Sequence, residues 1–155
     1  MRRAPRSVET YRASLKKIHE LDDALELMYF GWRGMTLAAD EYLGTLGLSR
    51  AHHRILYVIA RRPGISVGSL VEVIGVSKQA LNRPLNLLLQ RDLVISERSA
   101  EQHRSKLLSL TEEGKRVEHR ASSHERKVMK KAFDSAGSSG AESWKMVMKT
   151  IAETT

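Results

Sequence analysis

The sequence predicts a mainly α-helical chain that carries one small β-hairpin. Three patterns favour this fold class. Apolar residues recur at helical spacing along most of the chain. A serine or threonine, the usual N-cap residue, stands before each of four expected helices. Two short runs, "LVISE" at 93–97 and "KLLSL" at 106–110, have strand character and enclose the polar segment "RSAEQHRS".

The composition is typical of a globular protein with one real core. The 155 residues are 41% hydrophobic and 28% charged. No apolar run reaches the roughly 18 residues of a membrane span, and the N-terminus lacks the apolar stretch of a secretory signal. The absence of cysteine excludes disulfides and thiolate metal sites. We therefore expect a cytoplasmic protein with no membrane partner.

The net charge of +8 is unevenly distributed along the chain. Residues 1–17 hold six basic residues and one acidic residue, whereas residues 18–43 hold one basic and six acidic residues. Residues 44–110 hold ten basic and four acidic residues. A basic block of this kind indicates an anionic partner, and a solvated basic surface is the alternative interpretation.

The N-terminal third divides into an arm and a helix. Residues 1–13 are expected to form a flexible basic arm, whose arginines either contact phosphates or belong to a solvated tail. Residues 14–48 are expected to form one long helix. Its apolar residues recur at helical spacing: Leu21, Leu25, Met28, Trp32, Met35, Ala39 and Leu43.

The remaining chain is expected to form helices around the hairpin. Within residues 49–110, helices follow Ser49, Ser66 and Ser77, and "RRPGIS" before Val67 is expected to be a turn. In 111–155, a helix capped by Thr111 runs to about Phe133, "DSAGSSG" breaks the chain, and a final helix follows.

The fragment "VGSLVEVIGVSKQALNRPLNLLLQRDLV", residues 67–94, has the pattern of a helix-turn-helix. Counted from its first residue, such a unit needs apolar side chains at positions 4, 8, 10, 15 and 18 and glycine at position 9. Glycine permits the positive φ of a turn between steeply crossed helices. The matching residues are Leu70, Ile74, Gly75, Val76, Leu81 and Leu85.

A helical wheel separates the second helix of this unit into two faces. The leucines cluster on one side, and the opposite side holds amides and cations without a carboxylate. Amides pair with adenine edges, arginine pairs with guanine, and lysine neutralises phosphate. Pro84 falls toward the core side, where it removes one backbone hydrogen bond and is expected to kink the helix.

The hairpin after this helix completes the layout of a winged helix. Its tip region includes Arg98, His103 and Arg104. An arginine on such a wing is able to enter a narrow minor groove, where negative potential is concentrated.

These motifs together resemble the MarR family of bacterial transcription regulators. The residues that carry the resemblance are "GLSRAHHRIL", the fragment 67–94 and the wing that leads into "LTEEG", in the right order and spacing. The resemblance covers about residues 20–120. It implies a winged-helix homodimer whose first and last helices, 14–48 and 111–155, form the dimer interface. The lobe 49–110 would then bind DNA.

The wing departs from the family pattern at one point. The family has an Asp-Arg-Arg sequence or similar before the second strand, and the matching positions here are Gln102, His103 and Arg104. The arginine expected in the minor groove is kept, but the aspartate that would orient it is absent.

The resulting hypothesis is a sequence-specific regulator, expected to be a repressor, on a pseudo-palindromic operator of double-stranded DNA. The outward amides and arginine of the second helix are expected to contact base edges, and serines and a lysine are expected to contact phosphates. The wing is expected to enter the minor groove. The residues are Ser66, Ser69, Ser77, Lys78, Gln79, Asn82, Arg83, Asn86, Arg98, His103 and Arg104. The alternative is a winged-helix adaptor or antirepressor that binds protein and not DNA.

The resemblance also implies a small phenolic or aromatic ligand that releases the DNA. The residues expected around it are Tyr29, Trp32, Tyr42, His53 and Tyr57, although helical spacing equally fits core or dimer contacts. No pair among the six histidines has the i, i+4 spacing of a helical metal site. No catalytic constellation stands out, so we expect neither an enzyme nor a cofactor.

Overall fold

The computed structural model describes residues 8–98 and 106–154. The chain forms two compact units, residues 1–37 and residues 38–155, and the division falls within the second helix. The helices and strands are α1 Val8–Ala13, α2 Asp22–Thr45, α3 Arg50–Arg61, β1 Ile65–Ser66, α4 Val67–Ile74, α5 Lys78–Gln90, β2 Val94–Arg98, β3 Lys106–Leu110 and α6 Glu112–Ala152. The predicted fold class, mainly helical with a small β element, is confirmed.

The first unit differs from the expected arm and single helix. A short helix, α1, occupies part of the predicted arm, because tertiary contacts hold it: the Tyr11 ring meets the Phe30 ring edge-on at 5.7 Å. The side chain of Arg12 also pairs with Glu26 at 3.7 Å. Arg2, Arg3 and Arg6 lie outside the described residues.

The second helix, α2, begins at Asp22 and not at residue 14. The Asp22 carboxylate accepts hydrogen bonds from the backbone N–H groups of Ile18 and His19, which closes a turn before the helix. These bonds lower the pKa of Asp22. The expected apolar stripe of α2 is divided: Ala39 and Leu43 are buried in the second unit, whereas Leu21, Leu25, Met28 and Trp32 are exposed.

The helix-turn-helix forms as the sequence pattern predicts. Ser66 caps α4 and Ser77 caps α5, because each hydroxyl oxygen accepts a backbone N–H three residues later, at 3.1 and 3.2 Å. Gly75 joins the two helices with φ 71° and ψ 34°, in the left-handed region that glycine adopts without strain.

The sheet has three strands and not two. The order is β1-β3-β2, with both pairings antiparallel. The turn expected before Val67 ends in the two-residue strand β1, in which Ile65 pairs with Leu108. Strand β2 begins one residue later than predicted, and β3 has the predicted bounds.

The C-terminal helix, α6, runs for 41 residues from its Thr111 cap. The predicted break is reduced to Gly137, whose φ of 73° interrupts the helical geometry, and helical residues continue directly on both sides. None of the helices in the described part of the chain is long and apolar enough to cross a membrane.

The core of the second unit joins all its elements. Buried aliphatic side chains come from α2, α3, α4, α5, the strands and the first half of α6. They are Ala39, Leu43, Leu48, Ile55, Leu56, Ile59, Ile65, Leu70, Leu81, Leu85, Leu88, Leu93, Val94, Leu108, Leu110, Val117 and Ala121. This core fixes the direction of α5 relative to the sheet.

Gly114 in the first turn of α6 is a point of close backbone approach. A Cβ at this position would overlap the carbonyl oxygen of Leu93. Gly114→Ala is therefore expected to destabilise the fold by about 1–3 kcal/mol, as overpacking does. At the exposed Gly44 an added Cβ meets no atom, so Gly44→Ala is expected to stabilise α2 by about 0.5–1 kcal/mol. Urea unfolding of both variants measures the difference, and equal effects would contradict the close approach.

Candidate nucleic-acid interface

Helix α5 separates its side chains into a buried face and an exposed face. Leu81, Leu85 and Leu88 are buried at 2%, 4% and 0% exposure. The residues on the other side are all exposed: Lys78, Gln79, Asn82, Arg83, Asn86 and Gln90. Since the helix contains no acidic residue, an anion meets only amides and cations there.

Pro84 lies half-buried between these faces, and not on the core side where the wheel placed it. The helix is continuous from Lys78 to Gln90 in spite of the missing N–H. The proline ring lines a small apolar pocket of about 310 Å³ together with Ile55 and Leu81. The same residue also borders the open groove that Gln79, Asn82 and Arg83 line.

The serines at the N-termini of α4 and α5 have different hydrogen-bonding capacity. The Ser66 hydroxyl accepts from the backbone of Ser69 and donates to the Ser69 hydroxyl oxygen at 3.1 Å, so its only hydrogen is used within the fold. In this arrangement the Ser69 hydroxyl keeps its own hydrogen for an outside acceptor. The Ser77 oxygen caps α5, and its hydrogen is likewise available to donate.

Two open grooves flank α5. The wing-side groove, of about 560 Å³, lies between α4, α5 and the sheet, and Lys78 and Lys106 both line it. The α3-side groove, of about 1080 Å³, lies between α5 and the start of α3, and Arg83 lines it. Asn82 and Asn86 border both grooves. Helix α5 is therefore a ridge between two channels.

The stem of the wing brings two cations together. Arg98 ends β2, and its Cα partner across the ladder is Lys106 of β3. Like charges at directly opposed positions destabilise a sheet unless an anion lies between or beside them. His103 and Arg104, together with the departure at Gln102, lie outside the described residues.

The five residues expected around a ligand are divided between the two units. Tyr29 and Trp32 belong to the first unit, and Tyr42, His53 and Tyr57 belong to the second. Within the second unit, the rings of His53 and Tyr57 meet edge-on at 6.3 Å.

Tyr42 has separate neighbours. Its ring packs near His124 at 6.1 Å and under the Arg120 guanidinium at 4.7 Å. Since these contacts come from α6, Tyr42 links the C-terminal part of α2 to that helix.

A buried polar cluster between α3 and α6 escaped the sequence analysis. Ser122 donates to a Glu118 carboxylate oxygen at 2.7 Å, and Arg61 donates to the same oxygen at 3.0 Å. Because the Ser122 hydrogen is used, its oxygen accepts from Nε2 of His53, 3.1 Å away. Nε2 of His53 is thus a donor, and Nδ1 lies 3.7 Å from the Glu125 carboxylate. The i, i+4 spacing of Glu118 and Ser122 was the one sequence signal.

The surroundings shift the pKa values of this cluster. Burial lowers the pKa of His53 from its ordinary value of 6.5, and the carboxylates of Glu118 and Asp40 only partly oppose that effect. Burial likewise raises the pKa of Glu125. At His52, burial and then the nearby Arg91 lower the pKa.

Both histidines pack and hydrogen-bond near the start of α3. In the described ranges, no group of three or more histidine or acidic side chains is placed to hold a metal ion.

Comparisons with known proteins agree with the geometry. A family model described as MarR family matches residues 46–105. The HTH-type transcriptional regulator PetP of Rhodobacter capsulatus is 36% identical over 132 residues, which cover 85% of this chain and 80% of PetP.

Solved structures share the fold. A MarR family regulator from Silicibacter pomeroyi has a TM-score of 0.71 at 23% identity, covering 88% of this chain and 94% of that one. A mutant MepR from S. aureus bound to an oligodeoxyribonucleotide has a TM-score of 0.57 at 16% identity, covering 83% and 94%.

The lowered pKa of His53 predicts a stability that falls in acid. The unfolded chain binds the proton more readily than the folded chain, so stability is lost as the pH drops below about 6.5. His52 acts in the same direction, whereas the raised pKa of Glu125 acts in the opposite one.

His53→Gln should therefore lose less stability than the wild type between pH 7.5 and 5.5, by an amount on the order of 1 kcal/mol. Urea unfolding at both pH values measures this. His119→Gln, at an exposed position of α6, is the matched control and should keep the wild-type dependence. Identical pH dependence in all three proteins would show that His53 does not carry the effect.

Proposed function

Because this chain belongs to the MarR family of DNA-binding transcription regulators, we propose that it is a sequence-specific repressor that acts as a homodimer. The observation that carries the proposal is the outward face of α5, which is exposed, contains no carboxylate and stands as a ridge between two grooves. A helix of about 10–12 Å diameter fits the major groove, which is about 12 Å wide.

We assign the reading of base edges to four side chains of α5. Gln79, Asn82 and Asn86 carry amides that pair with adenine, and Arg83 pairs bidentately with the O6 and N7 atoms of guanine. All four are exposed, and each lines at least one of the two grooves. The leucine face anchors α5 to the core, so these four side chains are carried by a rigid element.

Phosphate contacts are assigned to the surrounding caps and cations. Lys78 neutralises a phosphate, Ser69 and Ser77 donate their free hydroxyl hydrogens, and Ser66 positions Ser69. The wing contributes Arg98 at its stem. His103 and Arg104 of the tip are proposed to reach the minor groove on the strength of the sequence alone.

The homodimer is supported by large apolar side chains that a single chain leaves exposed. They lie on α2 and on α6: Leu25, Leu27, Met28, Tyr29, Trp32, Leu37, Val128, Trp144, Met146, Val147 and Ile151. Exposed apolar side chains on each of the two units mark interaction surfaces, and we propose a second copy as the partner. The two α5 helices would then enter successive major grooves about 34 Å apart on a pseudo-palindromic operator.

We further propose that a small aromatic ligand releases the DNA in the cytoplasm. The support comes from the second unit, where the rings of His53 and the exposed Tyr57 meet edge-on. A panel of phenols tested for release of a bound operator would identify the ligand. If no compound of this class releases the operator, the ligand part of the proposal fails and DNA recognition stands.

The competing function is a protein-binding adaptor, and salt distinguishes the two. A DNA reader loses duplex affinity steeply as salt rises, with a slope that counts its phosphate contacts. Footprinting of the purified protein on genomic DNA, followed by titration of the protected duplex at several salt concentrations, tests the proposal. An adaptor would leave no specific footprint at any salt concentration.

Arg83→Ala is expected to relax specificity at one base pair. Loss of a bidentate contact to guanine reduces discrimination there by about 1–3 kcal/mol, while other positions of the operator keep theirs. Binding to a set of single-base operator variants measures the change. If all duplexes weaken equally, Arg83 contacts phosphate and does not read a base.

Lys78→Ala is expected to weaken binding to every duplex by a similar factor, because a phosphate contact is independent of sequence. The slope of log affinity against log salt should fall in magnitude by about 1 per protomer. A change in base preference with an unaltered salt slope would instead assign Lys78 to base reading.

A further inference from the structure

The α3-side groove is a second channel beside α5, and the residue types that line it suggest its occupant. One wall is the outward side of α5, with Arg83 and Gln90, and the other is the first turn of α3, with Ser49 and His52. None of the described residues that line it is acidic. An anionic chain meets no carboxylate along this groove.

His52 is held in one tautomer at the groove wall. Its Nδ1 accepts the backbone N–H of Ser49 at 2.9 Å. Burial and then Arg91 lower its pKa, so the ring is neutral at pH 7 and its single hydrogen is on Nε2. Nε2 is the ring nitrogen farther from the backbone. His52 is therefore an uncharged hydrogen-bond donor.

A hydrogen bond between the two walls fixes the width of the groove. The Arg91 guanidinium, just after the end of α5, donates to the carbonyl oxygen of Leu46, in the turn before α3. The same guanidinium lies 3.4 Å from the position of a Cβ on Gly47, which has φ 63°. The start of α3 is thereby held at a set distance from α5.

We propose that the α3-side groove holds one sugar-phosphate strand of the operator, with His52 as its phosphate donor; the Ser49 hydroxyl, 2.9 Å from Nδ1 of His52, uses its hydrogen to hold that ring. The inference rests on the proposed function, because α5 in a major groove is bordered by both strands. The wing-side groove, with Lys78 and Lys106, takes the other strand. The two strands are thus held differently, one by two lysine charges and one by the neutral donor His52 beside a single cation, Arg83.

A charge placed in the groove tests the inference. Ala51 is exposed and lines the α3-side groove, and a glutamate there suits the first turn of a helix. Ala51→Glu should therefore fold normally but bind every duplex about tenfold more weakly at low salt, since its carboxylate faces the strand.

Val73→Glu is the matched control. Val73 is exposed on α4 and lines neither groove, so the same change in net charge should alter affinity by less than about threefold. Provided that the wild type binds its operator, an equal loss of affinity in both variants, or no loss in Ala51→Glu, would overturn the groove inference.

A second experiment identifies the phosphate. Single neutral methylphosphonates are placed in turn along the protected strand, and affinity is measured for wild type and His52→Ala. At the contacted phosphate the two changes should be less than additive, because each removes the same hydrogen bond. Additivity at every position would exclude His52 as a donor. Failure of the wild type to bind any duplex would overturn the proposed function itself.

Discussion

The helix-turn-helix depends on the burial of one leucine stripe of α5. Leu81, Leu85 and Leu88 lie in the core with almost no exposure, and the side chains opposite them must therefore point outward. Gly75 sets the direction in which α5 leaves α4, because its left-handed conformation permits the crossing. The polar face is thus fixed by apolar packing on the other side of the helix.

The two grooves beside α5 differ in the charges that line them, and packing of the core does not require this difference. Lys78 lines the wing-side groove with Lys106, whereas the α3-side groove has Arg83 and a neutral His52. Cations supply affinity that depends on salt, and neutral donors supply direction with little salt dependence. Under the proposed function, the two grooves therefore contribute in different ways to the same duplex.

Neighbouring histidines connect the groove to the C-terminal helix. His52 lines the groove, and His53 is buried against Ser122 of α6 in a network that includes Glu118 and Arg61. A shift of α6 that broke these bonds would leave buried polar groups unpaired, which is costly. Helix α3 and α6 are therefore expected to move together, and with them one wall of the groove.

The sequence by itself determined the elements whose signals are local. N-cap serines, the glycine of the turn and the leucine period fixed α4 and α5. The two runs of strand character placed β2 and β3 to within one residue. The outward residues of α5 followed from the same period, since a regular helix leaves no choice of face.

Only the tertiary structure decided the features that depend on distant partners. Strand β1 exists because Ile65 pairs with Leu108, and α1 is held by the contact between Tyr11 and Phe30. The network around His53 joins positions 69 residues apart. No local sequence pattern encodes such pairings, because they form only when packing brings distant segments together. The walls of the grooves and the buried polar cluster were therefore visible only in the tertiary structure.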